Sequence, residues 1–186
     1  MTIFLLFIFP FLISAVPFSV ALSSSVYRCI QWKEALRIAL IFALFQAVML
    51  AVGWVIGYNV KGLFQDLQMP VAIMIIIFTG ARMFADSRRL SRDNRIMAVE
   101  SRRILMGFAF VISINTAILS LGFGILYRDI LILAGLVSGI TFLMTIIGIQ
   151  AGKRGMMNLG RVAETIGGIG LILMGAIIIL QYLKIL

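Results

Sequence analysis

The sequence predicts an all-α polytopic membrane protein, six transmembrane helices arranged as a 3+3 inverted repeat. Three observations predict it. Hydrophobic residues make up 62% of the 186 positions and charged ones only 12%, with a mean hydropathy of +1.14; soluble domains run at about 45–50% apolar and about 25% charged. Six apolar runs lie near 3–23, 36–58, 69–86, 104–126, 130–151 and 162–183, each close to the ~20 residues a helix needs to cross the hydrocarbon core. The chain also echoes itself 95 positions apart: Gly53 and Gly57 return as Gly148 and Gly152, Gly80-Ala81 as Gly175-Ala176, and Glu34 as Asp129. An odd number of spans per half makes the second half enter the bilayer from the opposite face, with the working site where the halves meet.

Residues 1–86 form the first three-helix repeat, 87–103 a basic cytoplasmic linker, and 104–186 the second repeat. The first span opens without a Lys or Arg, so it reads as a membrane helix rather than a secretory leader. It carries Ser14, Pro17, Ser19 and Ser23 to Ser25. Pro17 removes an amide donor and is expected to kink the helix near Ser14. Gln46 is the most polar residue deep in the second span, and Thr141 stands 95 positions on in the fifth. A buried amide needs a partner, and Asn115 or Thr116 of the fourth span would serve. Gly53, Gly57, Gly80, Gly148, Gly152 and Gly175 are expected to pack helices closely, the first and second pairs as GxxxG. Gly167, Gly168 and Gly170 give the last span another flat face. Tyr27, Tyr58, Tyr127, Tyr182, Trp32 and Trp54 fall near span ends, where amphipathic rings favour the headgroup layer.

Charge sets the orientation. Of the 16 basic residues, 13 fall in the first, third and fifth loops. The positive-inside rule therefore places those loops in the cytoplasm and both termini outside. Anionic headgroups are the expected partners of these loops, at ~1 kcal/mol per basic residue, and the net charge of +9 implies no nucleic acid. Glu34, Asp66, Asp86, Asp93, Glu100, Asp129 and Glu164 are expected in loops or at span boundaries, leaving the interface between the halves free of formal charge. With one cysteine, Cys29, and no histidine, no soft metal site or intramolecular disulfide is available. No central acid or Ser/Lys pair exists to activate a nucleophile, so the chain is not read as an enzyme and needs no cofactor.

The stretch from Glu34-Ala35-Leu36-Arg37 through Gly53-Trp54-Val55-Ile56-Gly57 resembles the MntP family of manganese efflux pumps, within the LysE-type exporters. Gly80-Ala81-Arg82-Met83 and Ala163-Glu164-Thr165-Ile166-Gly167-Gly168 are similar too, as is Leu171 to Gly175. The resemblance implies the six-span fold, export across a bacterial inner membrane, and Mn²⁺ as the transported ion. It also implies carboxylates in the first, second and fourth spans. At the matching places stand Pro17, Gln46 and Thr116, the last beside Asn115. The pathway expected here is neutral: Ser14, Pro17, Ser19, Gln46, Asn115, Thr116 and Thr141, with no residue assigned as a resident metal ligand. Two other functions fit the same residues. One is a non-transporting membrane scaffold, as a homo-oligomer or a subunit of a larger complex; the other is an exporter of a neutral, monovalent or organic solute.

Overall fold

The computed structural model describes residues 3–27, 30–64, 67–89, 102–126, 130–156 and 158–183. Cys29, Asp66, Asp93, Glu100, Asp129, most of the linker, and the side chains of Tyr27, Tyr127 and Tyr182 lie outside the described residues. Among the described residues the helices are α1 (Ile3–Tyr27), α2 (Trp32–Val60), α3 (Gln68–Arg89), α4 (Arg102–Leu126), α5 (Leu131–Lys153) and α6 (Asn158–Leu183), with a 3-10 turn at Lys61–Phe64. All six are long and apolar enough to cross a membrane, and no strand occurs among the described residues. In lipid a helix satisfies its own backbone, which is why apolar runs of this length settle on it. The turn after α5 closes on Gly155, whose φ of +74° suits a residue without a Cβ at a helix C-terminus.

α1 stays continuous across Ser14 and Pro17, where a kink is expected. The helix runs unbroken through both Pro10 and Pro17. Each proline forfeits one backbone bond, but α1 is the most enclosed helix, with 72% of its spanning window buried. Neighbouring helices hold such a segment in register. Ser14 also returns its hydroxyl to the Pro10 carbonyl at 2.6 Å, the local bond that a serine in a helix commonly makes.

Each helix of the first half packs chiefly against helices of the second: α1 on α5 and α6, α2 on α4 and α5, α3 on α6 and α4. Glycine sets the closest approaches. A Cβ on Gly53 or Gly57 would overlap the backbone oxygens of Ala117 or Leu121 in α4, and one on Gly148 would sit 2.6 Å from the Phe18 oxygen in α1. A Cβ on Gly80 would lie 2.9 Å from the Gly168 oxygen in α6, whereas Gly175 meets only the Ile77 and Ile76 side chains. The order of facing residues gives the directions. Phe18 and Leu22 face Gly148 and Gly152, and Gly53 and Gly57 face Ala117 and Leu121, so these pairs are parallel. Ser87 meets Thr165 while Ile77 meets Gly175, so α3 and α6 are antiparallel.

The core is divided. One apolar cluster holds Phe9, Leu50, Leu119, Phe123 and Val137, with Phe9 and Phe123 edge to face at 4.4 Å between centroids. A second holds Val20, Ala21, Ile38, Phe42, Ala109 and Ile149. A polar layer separates them. Along the outside, α2 presents Leu40, Leu44, Val48 and Val52, the lipid-compatible surface such a helix requires. At its far end Trp54 stacks on Tyr58 at 5.2 Å, and the Lys61 ammonium sits 3.9 Å over the Tyr58 ring, an arrangement suited to the headgroup region.

Candidate functional site

The polar layer is built by four helices. Ser14 of α1 lies 2.9 Å from Thr141 Oγ1 of α5, and Thr116 of α4 donates to Gln46 Oε1 of α2. Thr145 adds a hydroxyl one turn further along α5, bonded back to the Thr141 carbonyl at 2.7 Å. These side chains sit where the sequence interrupts apolar runs, at the step between the two core clusters on each of these four helices. Gln46 is 1% exposed, and Ser14, Thr116, Thr141 and Thr145 are 0%. The layer is therefore closed to solvent and filled by its own side chains. Gln46 Nε2 is buried and finds no acceptor among the described residues. An orphaned amide donor of that kind costs about 1–3 kcal/mol.

Ser14, Gln46, Thr116 and Thr141 thus come together. Pro17 and Ser19 lie one turn along α1, both buried, Ser19 close beside Gly160 of α6. Asn115 goes elsewhere. It lines a cavity of about 80 Å³ shared with Val16, Arg82, Asp86 and Glu164. The chemistry available in the polar layer is that of hydroxyl and amide oxygens, which suits hard cations carrying part of their hydration better than a bare divalent charge.

The interface between the halves is not free of formal charge. Glu164 stands seven residues into α6, is 2% exposed, and lines that cavity between α1, α3, α4 and α6. Sequence reasoning placed it at a span boundary because α6 starts earlier than the apolar run does. The visible signal was the small-residue stretch that follows it. Gly167 and Gly168 bring α1 and α3 close, Gly168 against Gly80 and Phe84.

Residues 29–179 match the family described as "Putative manganese efflux pump". Curated relatives carry the same description. One from Crocosphaera subtropica is 29% identical over 171 residues, covering 91% of this chain and 90% of its own. Another from Clostridium botulinum is 30% identical over 164 residues, covering 83% and 82%. One from Bacteroides fragilis is 30% identical over 167 residues, covering 87% and 86%. No solved structure gives a significant match. A family match across most of the chain, on a fold of six membrane-length helices, makes this a multi-pass, transporter-like protein belonging to the MntP family.

Proposed function

We propose that the chain exports a divalent cation of the manganese class across a bacterial inner membrane by alternating access, the two halves forming an inverted pair with both termini outside. One observation carries the proposal: four helices, two from each half, converge on Gln46, Thr116, Ser14 and Thr141 between two apolar clusters. Polar side chains inside a bilayer are costly and mark pathways by default. The pairing supports the inverted arrangement. The α1–α5 contact answers the α4–α2 contact when the halves are exchanged, as α1–α6 answers α4–α3. The relatives' description as manganese efflux pumps supplies the cation.

A second reading is favoured by the layer's closure and neutrality, which suit a scaffold that no longer transports. Manganese tolerance of a pump-deficient host separates the two. Expression of the wild-type chain is expected to restore growth in manganese and lower cell-associated metal. A doubly substituted Gln46→Glu, Thr116→Asp chain is expected to do at least as well. Rescue by that variant alone would assign the wild type to the scaffold reading, and rescue by neither would remove the export proposal.

A further inference from the structure

The successive helices α5 and α6 both pack on α1 but scarcely on each other. Between them lies a groove of about 350 Å³, within the ~300–1,000 Å³ typical of small-ligand sites. α1 supplies Phe11 and Phe18, α5 supplies Met144, and α6 supplies Leu159, Val162 and Ile166. Every residue lining it is apolar. Phe11, Leu159, Val162 and Ile166 are exposed, so the groove opens toward lipid rather than into the bundle.

Hydrocarbon would enter any such groove in a bilayer. What distinguishes this one is its end. It begins at Leu159, the second residue of α6, and reaches Gly167, a descent of roughly 12 Å along the helix. Leu159 is tied to the turn that joins α5 to α6. Its amide donates to the Met156 carbonyl at 3.2 Å, and the Gly155 amide donates to the Gly152 carbonyl at 2.9 Å. Lys153 and Arg154 stand at the head of that turn, both exposed. Among the described residues no carboxylate pairs with either. Two cations therefore stand at the mouth of an apolar cleft between helices. That division matches an anionic phospholipid, with a phosphate at the membrane surface and hydrocarbon below it.

We propose that the groove between α1, α5 and α6 binds one anionic phospholipid, its phosphate held at Lys153 and Arg154 and one acyl chain laid along Leu159, Val162 and Ile166. The site lies on the seam between the halves, α1 coming from the first and α5 and α6 from the second. Ala15 and Met144 line it, the one next to Ser14 and the other a turn from Thr141. The lipid thus rests behind the Ser14–Thr141 bond that joins the halves in the polar layer. The site requires the membrane fold and is independent of the export proposal.

The test is native mass spectrometry of the delipidated full chain in detergent, mixed with equimolar phosphatidylglycerol and phosphatidylcholine of identical acyl chains. The wild type is expected to retain one phosphatidylglycerol with a preference on the order of tenfold or more, each basic residue beside an anionic headgroup being worth about fivefold. Lys153→Gln combined with Arg154→Gln should bring the two lipids to parity. Val162→Trp fills the groove from its exposed rim and should abolish the tightly held phosphatidylglycerol. Val52→Trp, on the exposed face of α2, and Lys61→Gln, on the even-loop side, should leave it in place. Glycerol phosphate carries the headgroup charge without a chain and should not displace the lipid. If Val162→Trp elutes as aggregate, the Lys153 and Arg154 variant decides. Equal retention of both lipids by the wild type, or a preference unchanged in the charge and groove variants, overturns the site. A wild-type dimer that Val162→Trp converts to monomer with lipid retention unchanged also overturns it, and gives the groove to a second copy. Loss of host rescue with the lipid preference intact removes the export proposal alone.

Discussion

At the scale of single residues, the polar layer was legible in the sequence because each member interrupts an apolar run. Gln46 stands alone in the second span, and a lone amide in lipid must find a partner; Thr116 was one of two expected, and it is the one that meets Gln46. Asn115 was the other, and one step along the helix turned it into the neighbouring cavity. Glu164 was illegible for a different reason. A residue near the start of a helix is exposed or buried according to what crosses above it, and that crossing is a tertiary fact. The balance at Gln46 yields a prediction. Gln46→Leu loses one interhelical hydrogen bond, worth about 0.6 kcal/mol on average in membrane proteins, and removes an unsatisfied donor costing about 1–3 kcal/mol. Thermal unfolding in detergent should be unchanged or slightly later, while manganese export is abolished. A clearly earlier transition with export retained would make the layer structural.

At the scale of helices, the glycine pattern foretold which faces press together, and did so unevenly. Gly53, Gly57, Gly148 and Gly152 all sit against backbone of α4 or α1, as their spacing implied. Gly175 meets only isoleucine side chains, so its place in the 95-residue echo did not carry the same closeness. Spacing along the sequence does not fix contact, which depends on how far two helix axes have diverged at that turn. The α1 helix makes the same point from the other side: Pro17 forfeits a backbone bond, and α1, packed on α5 and α6, stays continuous through it. Substitution to alanine separates close from open positions. Gly57→Ala and Gly152→Ala force backbone against backbone and should destabilise by about 1–3 kcal/mol, the range for overpacking. Gly135 and Gly139 of α5 have nothing within 4 Å of a built Cβ, so alanine there should be neutral or stabilising by up to about 1 kcal/mol. Chemical or thermal unfolding of the four variants in one bicelle composition reads the contrast; equal costs at all four would mean that the close approaches contribute nothing.

At the scale of the molecule, the alternation of helix directions ties the orientation of every loop to that of any one loop. The parallel α1–α5 and α2–α4 pairs and the antiparallel α3–α6 pair are what successive crossings of a bilayer produce, so a single measured loop fixes the whole topology. Charge then selects between the two choices. The turn between α5 and α6 carries Lys153, Arg154 and Arg161, all exposed, and the opposite face offers Lys61, Arg128 and Lys184 in total. With ~1 kcal/mol per basic residue near an anionic leaflet, and basic residues in short loops dominating orientation, the odd loops should remain inside. Single cysteines introduced into a Cys29→Ser background test this in intact cells. A cysteine at Gly62, beside a site with open space, should react with a membrane-impermeant maleimide. One at Arg154 should react only after the membrane is opened. Converting Lys153, Arg154 and Arg161 together to glutamine should weaken that bias without inverting the fold, because the linker between α3 and α4 keeps seven basic residues with Arg82. Labelling of the Arg154 position from outside in the otherwise unaltered chain would reverse the topology.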